Sequence, residues 1–337
     1  MKRHLREAEI FPMLKVGLIE SVDPQLHRLL PHGIELILIP SHPDRLLDVE
    51  FWIAPPLLAP AQRAWPFLRG VRVVQSTLAG VDALRKLLPA DVILCDARGV
   101  HTISTAEWAV TAILASLKYL PFYDELRRAH SWSRRREAED RFRALHASSR
   151  AFYPHVLIEE LHAQRVLIVG YGAIGQAIEE RLKPFGVEIL RIARTARPNA
   201  APPVHAIGEL PALLPSADVV ILIVPSTSET TGLMGARELA LMKQGALLVN
   251  AARGPVVDTA ALVAALNSRR IRAAVDVTDP EPLPEDHSLW NAPNLLLTPH
   301  VAGSTPLFMV RAMQLAAAQV GRYLRGEALE NVVNGEY

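Results

Sequence analysis

Cysteine is nearly absent from the chain, with Cys95 as its only example. A single thiol excludes an internal disulfide framework and any CxxC site, and it fits a reducing compartment. An excess of charge of one sign is missing too: 36 Lys and Arg stand against 35 Asp and Glu, a formal net charge of +1. That balance gives no reason to expect nucleic acid or an anionic membrane as a partner. No apolar run approaches a bilayer span, and residues 219–224 are far too short. Residues 1–9 alternate basic and acidic side chains without the apolar core of a signal peptide, so the expected location is the cytoplasm. Also missing are a GxSxG elbow, an HExxH helix and a Walker loop. The histidines show no ligand spacing, so no metal is expected. There is no internal repeat and no low-complexity tract.

What is present is ordinary globular material: 337 residues, 50% of them hydrophobic and 21% charged, a length that predicts two domains. Arginine far outnumbers lysine but is scattered, apart from Arg134, Arg135 and Arg136, which read as a solvated helix face or linker. Short apolar runs at residues 15–19, 34–39, 49–53, 71–75 and 92–95 are separated by polar turns, with helical pieces at 24–30 and 60–68. Strands alternating with helices predict a parallel sheet covered on both faces. Ser104 followed by Glu107 reads as a capping box, opening a long helix through Trp108, Val110, Ile113, Leu114 and Leu117. Residues 129–153 are charged and nonperiodic and read as a partly helical surface arm. A second alternating region has candidate strands at 165–169, 188–192, 217–224, 246–250, 272–277 and 294–297, with crossover helices such as 173–182 and 259–266. Six strands in this order describe a doubly wound Rossmann sheet. Residues 305–324 form an amphipathic helix expected to pack back on the first domain.

Arg165 to Gly175 reads RVLIVGYGAIG: a buried strand running into Gly170, Tyr171, Gly172, Ala173, Ile174 and Gly175, after which a helix opens. Gly170 makes the tight turn, Gly172 lets backbone approach a pyrophosphate, and Gly175 lets helix and strand close up. The helix N-terminus offers amide donors and a positive dipole end to the phosphates. A carboxylate usually ends the second strand of an NAD site. Here Ala193 stands instead, followed by Arg194, Thr195 and Arg197. Two guanidinium groups there favour a 2′-phosphate, so NADP(H) is the favoured cofactor, with NAD(H) possible. Val224, Pro225 and Ala251 complete this candidate cofactor-binding set.

Ligands of open parallel sheets bind beyond the carboxyl ends of the strands. Three strands end there in polar groups: Asn250 to Arg253 after ALLV, Asp276 after AAV, and His300 after LLLTP, with Glu281 in the Pro-rich loop after Asp276. Arg253, Glu281 and His300 together suit reduction of a 2-oxo acid. The arginine fork holds the carboxylate and polarises the carbonyl. The histidine exchanges the proton on the carbonyl oxygen. The glutamate orients the imidazole and stabilises its positive charge.

At this point the sequence resembles the D-isomer-specific 2-hydroxyacid dehydrogenase family over nearly its whole length. The motifs are GYGAIG at 170–175, VNAARGPVVD at 249–258, AAVDVTDPEPLP at 273–284 and TPHVAGST at 298–305. The resemblance implies that Arg253, Glu281 and His300 are catalytic, with Asp276 near the nicotinamide amide. It implies that STLAGVD at 76–82 supplies backbone amides of Leu78, Ala79 and Gly80 to the substrate carboxylate, alongside Arg253 and His300. The implied α/β architecture is two Rossmann-like doubly wound parallel-sheet domains, the cofactor domain inserted into a flavodoxin-like substrate domain. The substrate-binding domain would span 1–106, completed by 303–337, and the dinucleotide-binding domain 107–302. A homodimer acting on a small 2-oxo or 2-hydroxy acid is implied. Within the family the ARTAR stretch at 193–197 is most similar to NADPH-preferring glyoxylate and hydroxypyruvate reductases, and Glu281 argues against the formate dehydrogenase branch, which has Gln there. Residues 132–160 are longer than usual for the family. The alternative is an NAD(P)(H)-sensing, corepressor-like binding protein on the same fold.

Overall fold

The computed structural model describes residues 13–335, so the reading of residues 1–9 lies outside the described residues. The chain divides into two compact units, one running up to Val100 and resuming at Pro306, the other His101–Thr305.

In the first unit the strands are β1 (Leu14–Ile19), β2 (Ile34–Ile39), β3 (Leu47–Asp48), β4 (Phe51–Ala54), β5 (Leu68–Arg69), β6 (Val73–Ser76) and β7 (Ile93–Cys95). Five of them form a sheet in the order β2-β1-β4-β6-β7, every pairing parallel, and β3 pairs with β5. This is the flavodoxin-like order. Both faces are covered, which is why β4 and β6 are buried at every position instead of alternating. Helix Phe308–Leu324 starts three residues later than expected and buries Met313, Ala316 and Val320 with Val16, Leu18, Phe51 and Ile53. Beyond it the chain returns along the sheet edge. Val332 bridges Cys95 antiparallel, and the Val333 amide donates to the Leu94 carbonyl at 2.8 Å, which covers an otherwise open strand. Burial pushes the Cys95 thiol up to about 12, consistent with an inert core position.

The second unit contains β8 (Arg165–Val169), β9 (Glu188–Ala193), β10 (His205–Ala206), β11 (Val219–Leu222), β12 (Leu247–Asn250), β13 (Arg272–Val275) and β14 (Leu295–Leu297). Their order is β10-β9-β8-β11-β12-β13-β14, all parallel, so the expected six-stranded sheet gains a two-residue edge strand. Helix Thr102–Leu117 covers one face, burying Ala106, Ala109, Ile113 and Leu117 with Val166, Ile168, Val219 and Ile221. Each of the two larger side chains contributes roughly 1.5–3 kcal/mol by leaving water. The expected capping box is not formed. The helix begins three residues earlier with His101 at its N-cap, and the Ser104 hydroxyl donates back to the His101 carbonyl at 3.2 Å. Glu107, turned outward, meets Arg181 at 3.4 Å.

Residues 118–160 form the arm. Tyr119, at φ 51°, breaks the chain direction between the long helix and helix Leu120–Arg128, and a further helix spans Glu137–Leu145. The arm is tied to the sheet through Glu159. Its carboxylate accepts from Tyr119 Oη at 2.6 Å, from Arg272 Nη1 at 2.7 Å and from His146 Nε2 at 3.2 Å. Burial pushes this carboxyl up, but His146, Arg272 and Tyr119 outweigh it and bring it down to about 2. Among the described residues no helix is long and apolar enough to cross a membrane.

Candidate active site

The turn after β8 has little room. Gly170 sits at φ +109°, and a Cβ there would stand 2.5 Å from the Ile223 carbonyl oxygen. A Cβ on Gly175 would stand 2.4 Å from the Gly170 oxygen, so helix Ala173–Leu182 packs on its own strand only because both residues are glycine. Gly172 differs: nothing lies within 4 Å of where its Cβ would be. The Gly170 and Tyr171 amides both donate to the Ile192 carbonyl, at 2.9 and 2.8 Å, and the Gly172 amide donates to Gly170. Gly172 is the helix N-cap and makes no side-chain cap, so the first-turn amides of Ala173 and Ile174 have no capping side chain. An open face, amide donors and a helix dipole fit a dinucleotide pyrophosphate.

Beside this turn stands a ladder of side chains that joins the expected Tyr171 and Arg197 to Glu179 and Arg191, which sequence reading missed. Glu179 accepts a fork of two 2.6 Å bonds from buried Arg191, and the Tyr171 hydroxyl donates to Glu179 at 2.7 Å. The guanidinium carbons of Arg191 and Arg197 lie 5.6 and 5.5 Å from the Tyr171 ring centroid. Arg197 Nη2 donates to the Tyr171 carbonyl at 2.8 Å. Burial raises the Glu179 carboxyl, but Arg191, Tyr171 and Lys183 hold it below its ordinary value. The signal was present in EILRIA, where a charged residue interrupts an apolar strand. Arg194, Thr195 and Arg197 are exposed just past the end of β9.

Val224 and Pro225 follow β11, and Ala251 and Arg253 follow β12, all at the carboxyl edge that carries the glycine turn. Asn250 shapes the Arg253 turn, donating to the Arg253 carbonyl and accepting from the Ala252 amide, both at 3.0 Å. Gly254 must be glycine, because a Cβ would stand 1.9 Å from the Thr278 carbonyl oxygen. The Arg253 turn is thus pressed against the loop that carries Glu281. His300 lies beyond β14 at φ 53°, and its Nδ1 is 2.5 Å from Glu281 Oε1. Both side chains are about half exposed. Asp276, 2% exposed, turns its carboxylate inward: Oδ1 accepts from Thr298 Oγ1 at 2.6 Å and from the Val301 amide at 2.9 Å, and Oδ2 accepts from the Ala302 amide at 2.8 Å.

Leu78, Ala79 and Gly80 belong to the other unit, after β6. The Leu78 amide donates to Ser76 Oγ at 3.0 Å, so this donor shapes its own loop instead of being left for a ligand.

Residues 110–302 match the family described as D-isomer specific 2-hydroxyacid dehydrogenase, NAD binding domain. The chain is 33% identical over 271 residues to a glyoxylate reductase of Thermococcus gammatolerans, covering 79% of this chain and 77% of that one. It is 36% identical over 242 residues to a glyoxylate reductase of Thermofilum pendens, covering 71% and 67%. The crystal structure of a D-isomer specific 2-hydroxyacid dehydrogenase from Xanthobacter autotrophicus Py2, in complex with NADPH and MES, matches with a TM-score of 0.72 at 27% identity. That match covers 96% of this chain and all of the other (100%).

Proposed function

We propose that this chain, which belongs to the D-isomer-specific 2-hydroxyacid dehydrogenase family and is an NAD(P)-dependent oxidoreductase, reduces glyoxylate, hydroxypyruvate or a similarly short 2-oxo acid, with NADPH preferred. The observation that carries the reading is the 2.5 Å contact between His300 Nδ1 and Glu281, at the sheet edge that also holds Arg253 and the glycine turn. A carboxylate only accepts, so Glu281 fixes the Nδ1 proton and leaves Nε2 to give a proton to the carbonyl oxygen, or to take it back in the reverse direction. Arg253 holds the substrate carboxylate and stabilises charge developing on the carbonyl oxygen. Motif resemblance adds the loop of Leu78, Ala79 and Gly80 to carboxylate binding, with Ala79 and Gly80 as its donors.

The cofactor would be held by Gly172, Ala173 and Ile174 at its pyrophosphate, by Arg194, Thr195 and Arg197 at its ribose phosphate, and by Val224, Pro225 and Ala251 along the strand ends. When bound it supplies the hydride that the carbonyl carbon receives. Two guanidinium groups past β9, with Ala193 where an acid would select NAD, support NADPH as the preferred reductant. The same reading makes residues 107–302 the dinucleotide-binding domain, and 1–106 with 303–337 the substrate domain, of a cytoplasmic homodimer.

Loss of absorbance at 340 nm, with NADPH or NADH and glyoxylate or hydroxypyruvate, tests this. Turnover should favour NADPH, and His300→Ala should lower kcat by about 10²–10⁴-fold while leaving NADPH binding intact. No turnover with either cofactor across a panel of short 2-oxo acids would overturn the substrate assignment.

A further inference from the structure

His300 occupies the left-handed region at φ 53°, a conformation unfavourable for any residue with a Cβ. Such a residue keeps that shape only where its surroundings over-determine it. Here most of the backbone hydrogen bonds around it converge on one residue, with the Thr298 carbonyl a second, longer acceptor of the His300 amide at 3.1 Å. The His300 amide donates to the Asp276 carbonyl at 2.7 Å, and the next two amides, of Val301 and Ala302, donate to the two oxygens of the Asp276 carboxylate. That carboxylate is itself held from behind. Thr298 Oγ1 is 2.6 Å from Asp276 Oδ1, and Trp108 Nε1 is 3.1 Å from Thr298 Oγ1.

The direction of this chain is fixed by chemistry. An indole N–H can only donate, so Trp108 occupies a lone pair of the Thr298 oxygen. The single hydroxyl proton is then committed to the carboxylate, which in its ionised form can only accept. Trp108 stands on helix Thr102–Leu117, which is packed across the sheet and supplies a rigid origin.

We propose that Trp108 is a positioning residue for the reaction: through Thr298 and Asp276 it holds the backbone at His300 in the conformation that presents the imidazole. This inference rests on the reading of His300 as the proton donor. Phenylalanine keeps much of the half-buried ring's packing and removes the donor, so Trp108→Phe separates the hydrogen bond from most of the packing.

The test uses the full chain, with steady-state kinetics on NADPH and glyoxylate and NADPH binding followed by nucleotide fluorescence. Trp108→Phe and Thr298→Val should each lower kcat by about tenfold, the size of one hydrogen bond feeding a charged group, with NADPH affinity within about twofold of wild type. Thr298→Ser, which keeps the hydroxyl, should restore most of the loss. The double variant Trp108→Phe/Thr298→Val should be no worse than Thr298→Val alone, because both break the same chain. Multiplying losses, a matching fall in NADPH affinity, or full activity in both single variants would each overturn the proposal. An inactive His300→Ala beside a fully active Trp108→Phe would remove this inference and leave the reading of His300 standing. A His300→Ala as active as wild type would remove both.

Discussion

Replacing Glu159 by Gln tests how the arm is fastened, at a place remote from the chemistry. Wild-type Glu159 would titrate at about 4.5 in an ordinary setting. Burial alone would raise it, but the bonds from His146, Arg272 and Tyr119 hold it at about 2. The distance between those values corresponds to roughly 3 kcal/mol of stability. The folded value lies below the unfolded one, so that stability is complete at neutral pH and is lost as pH falls from about 4.5 toward about 2. The Gln variant has no such titration and should lose this part of the acid sensitivity. At pH 7 it should be less stable outright, because Arg272, with a side chain 7% exposed, keeps its charge and loses its carboxylate. Breaking one side of a buried pair costs about 3–5 kcal/mol. Melting temperature between pH 7 and pH 3, together with hydrogen exchange over residues 118–160, reads both effects. Arg272 begins β13, and Glu159 joins it at the amino edge of the sheet, opposite the glycine turn, so NADPH affinity at pH 7 should not change. A variant that melts with wild type at pH 7 and loses stability in acid just as steeply would refute the account of the arm.

Those long-range ties are also what the sequence does not disclose. Runs such as VLIV and ALLV are apolar at every position because both faces of their sheets are covered, so strands, their parallel arrangement and the crossover helices are readable without coordinates. From that order it follows that Arg253, Asp276 and His300 end neighbouring strands, and the motif resemblance adds their roles. Local chemistry was a weaker guide. Ser104 and Glu107 have the spacing of a capping box, yet the helix starts at Thr102, so the pair lies inside the first turns. Partners distant in sequence leave no local trace. Glu159 and Arg272 are separated by 113 residues, and Trp108 and Thr298 by 190, so neither pair could be assigned before the fold brought it together. His300's left-handed backbone was equally hidden: histidine enters that region more often than most residues but still uncommonly, and the Asp276 contacts that hold it come from another strand end. Arg191 is intermediate: a charge inside an apolar strand announces a buried partner, but not that the partner is Glu179.

The proposed preference for NADPH turns on Arg197, whose guanidinium is steadied by the Tyr171 carbonyl and ring. Arg197→Ala should raise KM for NADPH by about tenfold and leave KM for NADH unchanged, the pattern of a lost charge-assisted bond to a 2′-phosphate; equal effects on both cofactors would remove the phosphate role. The Arg253 turn can be tested through its neighbour instead of through the guanidinium itself. In Gly254→Ala the new Cβ would stand 1.9 Å from a main-chain oxygen, that of Thr278, so the backbone beside Arg253 must move. Because misplacement by about 1 Å can cost on the order of 10²-fold in rate, kcat should collapse while NADPH still binds, and unchanged turnover would mean that Arg253 does not depend on this close approach.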